Sequence, residues 1–111
     1  MTSAEQTPKH PYIAQKEDFA GGKPVIEGTR IKVSQIVIEH EHMGWTADEI
    51  VTAHPHLAMA QVYDALSYYF DHLEEINREI RESEEFDREM RKKYPHSALE
   101  EKRSGASNLL G

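Results

Sequence analysis

Six apolar side chains, Val62, Leu66, Tyr69, Leu73, Ile76 and Ile80, follow one another at alternating spacings of four and three residues. Such spacing keeps them on one face of an α-helix, and predicts one long amphipathic helix beginning near Ala58. A stripe of that length has to be buried against something. Its first half is expected to close a core with the apolar residues upstream, which begin at Tyr12. Its second half runs past any core that a chain of 111 residues can build. The stripe fails at Ser83 and Asp87, and Phe86, Met90 and Tyr94 start a second one out of phase with it. That predicts a bend or a second helical segment there.

Two shorter helices precede this one. Ser34 is a good N-cap, Ile36, Val37, His40 and Met43 follow at helical spacing, and Gly44 suits a left-handed C-terminal residue. Thr46 and Glu49 have the spacing of a capping box, Ile50, Val51 and Ala53 supply an apolar face, and Pro55 stops the helix. Further upstream, Tyr12–Gln15 reads as a short strand and Phe19–Gly22 as a turn. Val25-Ile26 and Arg30–Val33 flank Glu27-Gly28-Thr29 as a tight hairpin. The expected fold class is mostly α: a three-helix, helix-turn-helix bundle with a short N-terminal β-hairpin and a long C-terminal helix. The expected organisation is a disordered leader over 1–11, the helix-turn-helix domain over 12–73, a helical arm over 74–94 and a flexible tail over 95–111.

Composition narrows the function. The chain has no cysteine, which excludes a disulfide, a thiolate nucleophile and a cysteine metal site, and agrees with a cytoplasmic protein. No apolar run is long enough for a membrane span, and residues 1–11 do not read as a signal peptide. The formal net charge is −7, so any DNA surface has to be a local basic patch on an acidic molecule. The same acidity suits a partner with a basic groove.

Two helices joined by the turn His54-Pro55-His56-Leu57 form the arrangement that places a second helix in a major groove. Its opening residues include Gln61, able to hydrogen-bond adenine, and Tyr63, able to touch a phosphate or a thymine methyl. Lys23, Arg30 and Lys32 in the hairpin region are the nearby cations that would clamp phosphates. Arg30 has other uses open to it. Its guanidinium can fork to a carboxylate, with Asp48 and Glu49 as internal partners, or to the carbonyl end of a helix.

The run Gly22-Lys23-Pro24-Val25-Ile26-Glu27-Gly28-Thr29-Arg30-Ile31-Lys32-Val33 resembles the signature of the domain-of-unknown-function 433 family. Gly44-Trp45-Thr46-Ala47-Asp48-Glu49-Ile50, His54-Pro55-His56-Leu57, and Val62 with Ala65-Leu66 follow in the family's order. Ala58 stands where a Ser or Thr cap is usual, Glu27 where a basic residue is frequent, and Lys32 where proline is. That family resembles VapB-type antitoxins. The resemblance implies a homeodomain-like trihelical fold and a homodimer that binds its own operator DNA. It also implies neutralisation of a cognate PIN-like ribonuclease toxin. The expected function is therefore a non-enzymatic antitoxin and autoregulator, and the alternative is a protein-interaction adaptor with no DNA-binding role.

No cofactor, metal or catalytic constellation is legible. His40 and His42 stand two apart on a helix and face different ways, and His54 and His56 flank a proline. Asp64, Asp71 and His72 lie along one helix with nothing in the sequence bringing a nucleophile to them. Tyr69 and Trp45 read as core, Tyr68 and Phe70 as left for a partner surface. From Glu74 to Tyr94 charges are dense. With Leu73, Ile76, Ile80, Phe86, Met90 and Tyr94 as apolar anchors, this stretch reads as a toxin-binding arm.

Overall fold

The structure, a computed structural model, describes residues 9–94. Its elements are two strands, β1 (Ile13–Ala14) and β2 (Val25–Ile26), and four helices. The helices are α1 (Val33–Val37), α2 (Ala47–Ala53), α3 (Met59–Asp71) and α4 (Leu73–Lys93), with a π-helical turn Ile38–His42 continuing α1. The chain divides into two compact units, 1–80 and 81–111.

β1 and β2 pair antiparallel, Ile13 opposite Ile26 and Ala14 opposite Val25. The hairpin expected between Val25-Ile26 and Arg30–Val33 is reduced to one bridge, Val25 with Lys32. The turn between them is nevertheless tight. The Ile26 N–H donates to the Ile31 carbonyl, and the Thr29 hydroxyl donates to the Ile26 carbonyl at 2.8 Å while accepting from the Ile31 N–H. Gly28 has φ +81°, a conformation that a side chain disfavours.

Helix α1 starts two residues earlier than its sequence suggests. Lys32 occupies the N-cap position without a side-chain hydrogen bond, and Ser34 lies inside the helix. The Ser34 hydroxyl is instead spent on Glu79 Oε2 at 2.8 Å, fastening α1 to α4. Gly44, at φ +77°, closes the π turn as expected. The capping box of α2 is complete: Glu49 N–H donates to Thr46 Oγ1 at 3.1 Å and Thr46 N–H to Glu49 Oε1 at 2.8 Å.

The long apolar stripe is divided between two helices. The backbone leaves the helical region at His72, with φ −134° and ψ 46°. The His72 ring stacks on Tyr68 at 4.1 Å, and its Nδ1 pairs with Glu75 at 2.7 Å. Tyr69 Oη donates across the break to Asn77 Oδ1 at 3.1 Å. The break changes where the stripe goes. Ile76 and Ile80, expected to project beyond the core, are buried in it with Ile26, Val33, Ile36, Ile50, Val62 and Tyr69. Leu73, next to the break, is exposed. The stretch around Ser83–Asp87, where a bend or a second helical segment is expected, belongs to α4, which is helical from Leu73 to Lys93.

Trp45 and Tyr68 pack against the core from its edge, and Phe70 faces outward. The leader reading fails at its end: His10 is buried. Residues 1–8 of that leader and the tail 95–111 lie outside the described residues. Among the described residues no helix is long and apolar enough to cross a membrane.

Candidate nucleic-acid interface

Helix α2 ends at Ala53, and α3 begins five residues after His54. Two links fix this corner. Glu39, buried in the π turn, accepts from His54 Nε2 at 2.9 and 3.1 Å and from Gln35 Nε2 at 2.8 Å. Leu57, inside the turn, is buried in the core. A carboxylate withdrawn from water is costly unless it is paired, and here one oxygen pair receives both donors. The π turn presents Glu39 to His54, and π turns of this kind recur where a side chain has to be aimed.

The opening turn of α3 is accessible. Tyr63 is 59% exposed, Met59 and Ala60 are exposed, and Gln61 is half-buried. Gln61 is also a cap. Its Oε1 accepts from the Ala58 N–H at 2.7 Å, which supplies a bond to the helix start that the alanine side chain cannot. A two-bond grip on adenine needs both ends of the amide, so the carbonyl end would have to serve the cap and the base together.

An open groove of about 760 Å³ lies in the first unit, lined by Lys16, Asp18, Phe19, Glu27, Arg30 and His56 among others. Of the cations singled out in the sequence, Arg30 alone lines it. Lys23, half-buried, and Lys32, exposed, lie outside the lining, as do Gln61 and Tyr63. No ion pair joins Arg30 to Asp48 or Glu49. Its guanidinium sits over the Phe19 ring, 5.5 Å from the centroid, which stiffens it without neutralising it. Lys16 lies 3.9 Å from Glu27, an exposed pair of little energetic weight. The groove therefore gathers two cations, the His56 imidazole from the α2–α3 turn, and two carboxylates.

Sequence reasoning missed the role of residues 9–12. His10 is clamped between two carboxylates of α3, with Nδ1 3.2 Å from Asp64 Oδ1 and Nε2 2.8 Å from Asp71 Oδ2. The Tyr12 N–H donates to Asp64 Oδ2 at 2.8 Å, and Lys9 Nζ lies 3.3 Å from Asp71. Hydrogen bonds from His10 and then Lys9 hold the Asp71 carboxyl below the usual carboxylate range. Burial, followed by the charges of Glu75 and Glu79, pushes the Tyr68 hydroxyl up. Only the i, i+7 spacing of Asp64 and Asp71, two turns apart on one face, carried any signal of this clamp. Among the described residues no three His, Asp or Glu side chains converge as a metal site would require.

Of the six anchors proposed for a partner arm, Ile76 and Ile80 are committed to the core and unavailable. Leu73, Phe86, Met90 and Tyr94 are exposed.

These observations define a small, mostly helical domain with a two-stranded antiparallel sheet at its start and a mixed-charge groove beside its α2–α3 corner. The chain belongs to the family described as "Protein of unknown function (DUF433)", whose profile matches residues 13–69, just over half of its length. It is also similar to the crystal structure of a DUF433 member protein from Anabaena variabilis ATCC 29413, with 27% identity and a TM-score of 0.59. That match covers 70% of this chain and 75% of the other. No curated protein matches the chain.

Proposed function

We propose that this protein is an antitoxin-type DNA-binding regulator, in which α2 and α3 act as a helix-turn-helix and α3 enters a major groove. One observation carries the reading. The first turn of α3 is open, with Tyr63 exposed, while the corner before it is held rigid by Glu39–His54. A helix presented on a braced corner loses little freedom on docking. Tyr63 and the free Nε2 of Gln61 would face base edges or phosphates, and Arg30, Lys23 and Lys32 would supply charge to the backbone. The second half of the function, neutralising a nuclease partner, falls to Phe86, Met90 and Tyr94, with Leu73 as a separate exposed contact. The reading is non-catalytic: His10 is buried with both ring nitrogens occupied, and the carboxylates around it are engaged.

The net charge of −7 favours a second reading, an adaptor that binds protein and no DNA. A gel shift of the full chain with DNA from upstream of its own gene, at 50 and 150 mM salt, separates the two. Retarded DNA that is released by Tyr63→Ala supports the regulator. No retardation, with or without the product of the neighbouring gene, leaves the adaptor.

A further inference from the structure

Residues 9–12 are fastened to α3 just before β1, and two carboxylates of α3 hold them there. Asp64 meets His10 Nδ1 at 3.2 Å and accepts from the Tyr12 N–H at 2.8 Å, while Asp71 meets His10 Nε2 at 2.8 Å. The His10 side chain is only 8% exposed. Tyr68 meets the imidazole edge-on, with centroids 5.3 Å apart, and itself faces Glu75 and Glu79 of α4. The His72 ring lies 6.4 Å away and is paired with Glu75. Lys9, the other cation at Asp71, is exposed and 3.3 Å from it. Ile13 and Ala14 of β1 bring no titratable group. The far side of the attachment is independent of the ring. The Tyr12 carbonyl accepts from the Glu27 N–H at 2.7 Å, which ties Tyr12 to the sheet.

An ionised carboxylate only accepts hydrogen bonds, whereas a neutral imidazole has one N–H and one lone pair. The ring therefore satisfies Asp64 and Asp71 together as an imidazolium. Once neutral, it turns a bare lone pair on one of them, in a site nearly closed to water, where an unpaired polar group is costly. A proton taken up by Asp71 would also relieve the contact, but the bonds from His10 and Lys9 hold that carboxyl below its usual range and oppose this. We infer that residues 9–12 are a pH-gated strap, fastened to α3 while the His10 ring carries both protons and released as rising pH removes one. Tyr12 is the hinge. Its N–H leaves Asp64 on release, while its carbonyl keeps its bond to Glu27 and the sheet stays paired. The inference does not rest on the DNA or nuclease reading.

Water-exchange NMR of the full chain tests it, with each amide rate divided by its intrinsic rate, at about pH 6 and about pH 9 to span imidazole titration. The expected result is a Tyr12 amide whose protection falls roughly tenfold or more across that range, as the loss of one hydrogen bond to a charged group produces. The amides of Glu27 and of Ile50 in the core should keep their protection. The fall should share its midpoint with the His10 Cε1 resonance. Asp71→Asn offers an amide N–H to the lone pair of the neutral ring, so it should keep the strap fastened at both pH values. His10→Ala should leave the Tyr12 amide unprotected at both. A wild-type Tyr12 amide equally protected at both pH values overturns the inference. So does a fall that tracks the His72 resonance instead, a fall that Asp71→Asn leaves in place, or a Tyr12 amide as protected in His10→Ala as in the wild type at the lower pH.

Discussion

The imidazole of His10 joins two carboxylates that lie two turns apart on α3, Asp64 at 3.2 Å and Asp71 at 2.8 Å. Both bonds are made at once only when both ring nitrogens carry protons or a carboxyl supplies one. Replacing His10 by Ala should lower the unfolding free energy by about 1–3 kcal/mol, read by urea denaturation at neutral pH. His10→Gln, which cannot span both carboxylates, should recover less than half of the loss. Equal stability of wild type and His10→Ala would show that the clamp contributes nothing.

Asp71 provides the pH dependence of the same clamp. Its carboxyl is held below the ordinary range in the folded chain, so it contributes stability that is present above the unfolded value and is lost as pH falls through the folded one. Acid unfolding should therefore steepen below about pH 4 in the wild type. Asp71→Asn should flatten that limb, in pH-dependent melts at constant ionic strength.

Tyr68 should govern the opposite limb. Its hydroxyl is pushed up from 10.0 by burial and by Glu75 and Glu79, so the neutral form is favoured in the fold. Its effect is absent below the unfolded value and becomes destabilising above it, because the unfolded chain ionises first. Tyr68→Phe should reduce the alkaline loss of stability.

The Glu39–His54 link fixes the α2–α3 corner, and Glu39 is 4% exposed. Glu39→Ala should cost about 2–3 kcal/mol, since it leaves His54 and Gln35 without their acceptor. A double-mutant cycle with His54→Ala should return a coupling of at least 0.5 kcal/mol. If the regulator reading holds, Glu39→Ala should weaken DNA binding beyond its effect on stability, because the corner loosens.

The two halves of α4 should answer differently to truncation. Ile76→Ala, at a core position, should cost about 2–5 kcal/mol. Phe86→Ala should change stability of the isolated, dilute chain by no more than about 0.5 kcal/mol. A large effect of Phe86→Ala under those conditions would contradict the exposure of this side chain.

Much of this protein was determined locally, and the sequence by itself decided it. Thr46 and Glu49 cap α2 as their spacing demands, Gly44 and Gly28 take positive φ, and Pro55 keeps α2 from running on into α3. Each outcome depends on atoms within a few residues of one another, which is why it is legible without a fold. The site was legible in part: Tyr63 is open as expected, and Arg30 lines a groove to which Lys16, Phe19 and His56 come from other stretches of the chain. Only the tertiary structure decided how the long apolar stripe is shared out. A break at His72, with neither glycine nor proline to announce it, turns Ile76 and Ile80 into the core and leaves Phe86, Met90 and Tyr94 outside. The tertiary structure also recruited His10 and Ser34, one from a leader and one from a helix cap, because their bonding partners lie 54 and 45 residues away. Periodicity states which side chains share a face, but which surface that face meets depends on backbone direction and on residues far along the chain.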